Sequence, residues 1–82
     1  MTSTFRVRDT AVLIRNVPGA GPCSGDMGAI VHANSPDSYE VEFVTASGRT
    51  QSVQTLSTSD LRPLQDDNLL AVRPIGSRKG VA

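Results

Sequence analysis

Ser24-Gly25-Asp26-Met27-Gly28-Ala29-Ile30-Val31-His32 reads as a tight turn that runs straight into a strand. Gly25-Asp26 supplies turn chemistry, and Gly28 adds a second point where the backbone is unconstrained by a side chain. Ala29-Ile30-Val31 then opens a β-type run, because branched side chains fit a pleated surface better than a helix. On either side lie a short apolar run (Ala11-Val12-Leu13-Ile14), an alternating segment (residues 39–44) and a terminating Asp60-Leu61-Arg62-Pro63. Short β-type segments separated by Gly and Pro predict a small all-β domain.

The 82 residues allow one domain of modest core. Hydrophobic residues make up 38% and charged residues 20%, so the composition is that of a globular chain. The core must be mainly aliphatic, since Phe5, Tyr39 and Phe43 are the aromatics, and two of them are expected inside. Eight basic and eight acidic side chains cancel, which removes the overall electrostatic footprint of most nucleic-acid binders. Cys23 is alone, so no intrachain disulfide or cysteine-rich metal site forms, and a reducing, cytoplasmic setting is expected. Residues 1–6 contain no apolar signal-like region, and no run approaches the ~20 apolar residues of a membrane helix.

Residues 1–8 are a polar lead-in in which Phe5 and Val7 alternate with Arg6 and Arg8, as in a strand extension. Ala11-Val12-Leu13-Ile14 is too short for a helix and suits a first strand with both faces partly covered. Val17-Pro18-Gly19-Ala20-Gly21-Pro22 sustains neither helix nor central strand, so residues 15–24 form a long loop restricted by its prolines. A second strand is expected over 27–33 and a turn over 34–37. Ser38-Tyr39-Glu40-Val41-Glu42-Phe43-Val44 has a period of two, with Tyr39, Val41 and Phe43 facing the core. Residues 45–49 form a hairpin loop, and 50–56 return as a fourth strand with Val53 as its firmest core residue. Ser57-Thr58-Ser59-Asp60 is a single helical turn capped by Ser57 or Thr58. Leu61 then packs inward, and 61–64 close the fold with Pro63 on an edge.

Strand, long loop, strand, hairpin, strand, hairpin, strand, one helical turn and short strand is the order of a five-stranded SH3-like barrel. The barrel is expected over residues 1–64, with its core over 9–64. Residues 65–82 form a C-terminal extension, flexible from about Ser77, whose apolar Leu69, Leu70 and Val72 either dock on the barrel or on a second copy.

Leu13-Ile14, Pro18, Gly25-Asp26-Met27-Gly28 with Ile30-Val31, Tyr39-Glu40-Val41-Glu42-Phe43 and Asp60-Leu61-Arg62-Pro63 together resemble a family of small bacterial proteins of unknown function. The resemblance covers about residues 9–64 and lies in the order and spacing of motifs that are individually unspecific. It implies an SH3-like barrel without established enzyme activity. The same glycine pattern is similar to KOW modules of ribosomal and transcription proteins and to the nitrile hydratase β-subunit barrel. Those relatives bind RNA or protein or support an enzyme. The apolar segment at 69–72 and the basic end depart from the family pattern.

No residue set in the sequence demands a reaction. His32 is the only histidine and lacks evident partners for base catalysis. Cys23 sits in the loop with no assembled base beside it. Glu40 and Glu42 share a strand face, where solvation explains them better than acid–base work or cation binding. Gly25-Asp26-Met27-Gly28 lacks the Lys-Ser/Thr and following helix of a phosphate loop, and Asp26 is expected to accept backbone N–H groups in the turn. Arg6, Arg8, Arg15, Arg49, Arg62 and Arg73 are scattered, without the exposed aromatics that stack on single strands or grip proline helices. The expectation is therefore a non-enzymatic protein-interaction or accessory module with no cofactor and no membrane association. Its surfaces are expected at Val17, Pro18, Pro22, Arg62, Leu69, Leu70 and Val72. The partner is a second copy or another protein. A KOW-like nucleic-acid-binding module using Arg15, Arg49 and Arg62 is the alternative, and an enzyme with Cys23 as nucleophile the weakest reading.

Overall fold

Gly25 has a φ of +95°, the left-handed conformation that side chains disfavour, and it swings the chain into the second of five strands. The computed structural model describes residues 5–19 and 21–74. The strands are β1 (Thr10–Leu13), β2 (Met27–Ser35), β3 (Ser38–Val44), β4 (Thr50–Ser57) and β5 (Leu61–Pro63). A 3-10 turn over Thr58–Asp60 separates β4 from β5. They form one antiparallel sheet in the order β4-β3-β2-β1-β5. The long loop joins β1 to β2, and tighter turns join the next pairs. The expected flexibility from Ser77 falls outside the described residues.

Alternation along the strands builds the core. Ala11 and Leu13 of β1, Ile30 of β2, and Tyr39, Val41 and Phe43 of β3 join Leu56 and Leu61 in one buried cluster. Leu56 and Leu61 come from the two edge strands, so the sheet curls over its own inner face to bring them together. Register shifts in β2 between Ile30 and His32 and between Ala33 and Ser35 supply local bends of the kind that assist curling. Among the described strands no ladder joins β4 to β5. β1 is covered on both sides: Ala11, Val12 and Leu13 are all buried.

Gly28 shows why the opening stretch controls the packing. It pairs with Ala11 of β1, and a Cβ built on it lies 2.5 Å from Val41 Cγ1 and 3.1 Å from both Phe43 Cε1 and the Glu42 carbonyl oxygen. The absent side chain lets β2 lie flush against the β3 residues of the core. Gly25 therefore serves the turn and Gly28 serves close approach.

Several expectations require correction. All three aromatics are internal, not two: Phe5 meets Tyr39 edge-on, with ring centroids 5.5 Å apart and planes at 85°. Within the described part of the N-terminal lead-in, residues 5–8 are not in a strand. They make a turn in which the Asp9 N–H donates to the Arg6 carbonyl over 3.0 Å, so Phe5 enters the core while Val7 points out. Val53 is 50% exposed, because β4 turns Ser52, Gln54 and Leu56 toward the inside and Val53 lies opposite Glu42 on the outer face. β2 continues to Ser35, leaving Pro36-Asp37 as the link to β3. Ile14, expected inside the first strand, lies beyond it and is 48% exposed.

Candidate functional site

The corner at Gly25-Asp26 is braced from several sides. The Gly25 N–H donates to the Leu13 carbonyl over 2.7 Å, and the Leu13 N–H donates to the Asp26 carbonyl over 2.9 Å. These bonds tie the corner to the end of β1. Within the turn, the Asp26 N–H donates to the Cys23 carbonyl over 2.9 Å, and the Cys23 N–H donates to Asp26 Oδ2 over 2.8 Å. Asp26 thus accepts a backbone N–H as its turn position predicts. The loop before it closes at its base, where the Val17 N–H donates to the Pro22 carbonyl over 3.0 Å and the Ser24 N–H to Asn16 Oδ1 over 2.9 Å. Half-buried Val17 anchors the loop on the core.

Beside this corner lies an open groove of about 600 Å³. Gly21, Pro22, Asp26 and Met27 line one side, and Phe43, Val44, Thr45, Ala46, Arg49 and Gln51 line the β3–β4 side. The rest of its lining is the chain's own segment 71–74, which runs without regular secondary structure. That segment is held by a guanidinium. Arg73 Nε donates to Asp26 Oδ1 over 3.0 Å, Nη2 donates to Asp26 Oδ2 over 2.5 Å, and Nη2 also donates to the Gly21 carbonyl over 2.9 Å. Such a two-toothed contact matches the planar fork of arginine to the two carboxylate oxygens. Burial alone would raise the Asp26 carboxyl, but the Arg73 bonds and charge and the Cys23 N–H outweigh it and hold it below its ordinary value.

The expected surface residues do not form one patch. Pro22, which is buried, and Val72, which is 98% exposed, both line the groove. Val17 is taken up by the core, and Pro18 is exposed on the loop. Leu69 and Leu70 project from the C-terminal segment, 95% and 67% exposed. Arg62 turns toward the segment after β5, donating to Asn68 Oδ1 over 2.8 Å and to the Pro63 carbonyl over 3.1 Å. The Asp26–Arg73 fork is not legible in the sequence. Its members lie 47 positions apart, and Asp26 already had a sufficient explanation as a turn residue.

The remaining candidates sit elsewhere. His32 is exposed on β2 opposite Glu40. Glu40 accepts from Asn34 Nδ2 over 2.8 Å and Thr55 Oγ1 over 2.9 Å, and these bonds lower its pKa. Cys23 is half-buried, with its Sγ 3.5 Å from the Gly21 carbonyl. Arg15 pairs with Asp60 over 2.5 Å, beside the 3-10 turn.

A curled five-stranded antiparallel sheet with a groove at one corner defines a small all-β domain. Residues 7–63 match the family described as a domain of unknown function, DUF4926, and the chain belongs to it. No curated protein and no solved structure matches the chain. The matched region ends at the last residue of β5, so Arg73 and its segment lie beyond it. Among the described residues no helix is long and apolar enough to cross a membrane.

Proposed function

We propose that this chain is a non-enzymatic protein-interaction module of SH3-like architecture, acting in the cytoplasm, whose groove at the Asp26 corner receives an extended segment of a partner protein. The observation that carries this reading is that the groove already borders a segment without regular secondary structure, residues 71–74, attached through Arg73. Its wall is braced by backbone bonds, so little ordering is required when a partner docks. Apolar surface from Pro22, Met27 and Val44 lies next to the charged acceptor Asp26, a mixture suited to peptide recognition. With Phe5, Tyr39 and Phe43 all in the core, the surface lacks the aromatic ridges that grip a polyproline helix. The alternative KOW-like role loses support from two of its three arginines. Arg15 is matched by the Asp60 carboxylate, and Arg62 is held by Asn68.

Photo-crosslinking in the native cell tests this reading. A photoreactive residue at Ala46, in the groove, is expected to give a discrete protein adduct, while one at the remote Ser59 gives none. Equal adducts from both positions, or a groove adduct that digestion with nuclease removes, would overturn it.

A further inference from the structure

We infer that the Asp26 corner is a socket for a guanidinium group, and that its ligand in trans is an extended partner segment carrying an arginine flanked by apolar residues. Residues 71–74 then act as a competitor supplied by the chain itself. This deepens the proposed binding role and rests on it.

The socket offers acceptors alone to the arginine. Asp26 Oδ1, Asp26 Oδ2 and the Gly21 carbonyl receive three N–H bonds from Arg73 Nε and Nη2. An ammonium group has no planar fork with which to span both carboxylate oxygens, so arginine is preferred to lysine. The acceptors are placed by the fold and not by the occupant. Asp26 Oδ2 also receives the Cys23 N–H, and the Gly25 N–H is fixed to Leu13 of β1.

The occupant, in contrast, is loosely held. Leu69 and Val72 are almost fully exposed, and residues 69–74 belong to no strand. Arg73 therefore supplies the specific hold, through a partly exposed ion pair of the kind that contributes little to stability. A contact of that size closes the site without locking it. Competition by a partner arginine, with its apolar neighbours against Pro22, Met27 and Val44, is then within reach of ordinary peptide affinities.

The test uses a fluorescent peptide, Leu-Ala-Val-Arg-Pro-Ile, titrated with the full chain. Arg73→Ala, which empties the socket, is expected to bind it about two- to sixfold more tightly than the unsubstituted chain. Adding Asp26→Asn, which keeps an oxygen for the Cys23 N–H, is expected to abolish the gain. Replacing the peptide's arginine by citrulline should do the same. Equal binding by the original chain and Arg73→Ala, or binding indifferent to citrulline, would overturn the inference. A dimer seen by sedimentation that disappears in Arg73→Ala would also overturn it, by making a second copy the occupant. If these titrations fail while the Ala46 adduct still forms, the groove remains a protein-binding site and the arginine specificity falls. If both fail, the binding role falls with it.

Discussion

At the scale of single residues, the two glycines of the opening stretch do different work. Gly25 adopts a left-handed φ in the turn, and Gly28 permits contact with Val41 and Phe43. Sequence shows both as glycines in a turn-to-strand junction and does not separate these roles, because close approach depends on a partner strand 13 positions away. Gly28→Ala is expected to destabilise the fold by ~1–3 kcal/mol through overpacking, since its Cβ meets backbone as well as side chains. Urea unfolding reads this directly, and an unchanged midpoint would contradict the packing account. Tyr39 illustrates a second limit. Its hydroxyl donates to the Pro36 carbonyl over 2.9 Å and accepts from the Phe5 N–H over 3.3 Å, which is how a polar tip is tolerated at full burial. The period-two pattern places Tyr39 inside but says nothing of Phe5, whose core position depends on the turn at Arg6 and Asp9.

At the scale of elements, patterns that satisfy themselves locally were readable and those that depend on a neighbour were not. β3 matches its alternation from Ser38 to Val44. β4 does not identify its own inward face, since Gln51, Val53 and Thr55 alternate with Ser52, Gln54 and Leu56 in a strand of mixed polarity. Val53 was the most apolar interior residue, but pairing with Glu42 places it outside. The helical turn was legible because its cap is local. The Ser57 N–H donates to Asp60 Oδ2 over 3.0 Å, as a reciprocal cap requires. Arg15 was not legible as the partner of Asp60, 45 positions away. The Arg15 bond is the strongest influence holding the Asp60 carboxyl below its ordinary value, opposed by burial and aided by Ser57. The folded pKa lies below the unfolded one, so the contribution of Asp60 is present above about pH 4 and is lost as pH falls through the folded value. Asp60→Asn is therefore expected to cost ~1 kcal/mol near neutrality, and the difference from the original chain should shrink at pH 3. Denaturant melts at the two pH values check this; a difference that grows on acidification would contradict it.

At the scale of the whole molecule, the succession of strands along the chain was legible because loops, turns and apolar runs follow one another without ambiguity, whereas the pairing of β1 with β5 depends on contacts remote in sequence. The groove was not, because it is made by three segments remote in the chain: the corner after the loop, the β3–β4 hairpin and residues 71–74. Leu69, Leu70 and Val72 are the apolar residues of the C-terminal segment, yet the side chain that attaches it is Arg73. The central claim is that the Asp26 corner holds that guanidinium, and the Nε–H resonances of the arginines test it most directly. In the full chain at neutral pH, the Arg73 Nε–H should exchange slowly with water, alongside that of Arg15, whose bond to Asp60 serves as an internal reference. Asp26→Asn should release Arg73 and leave Arg15 unchanged. An Arg73 Nε–H that exchanges at the rate of a free arginine in the original chain, and does not respond to Asp26→Asn, would contradict the account.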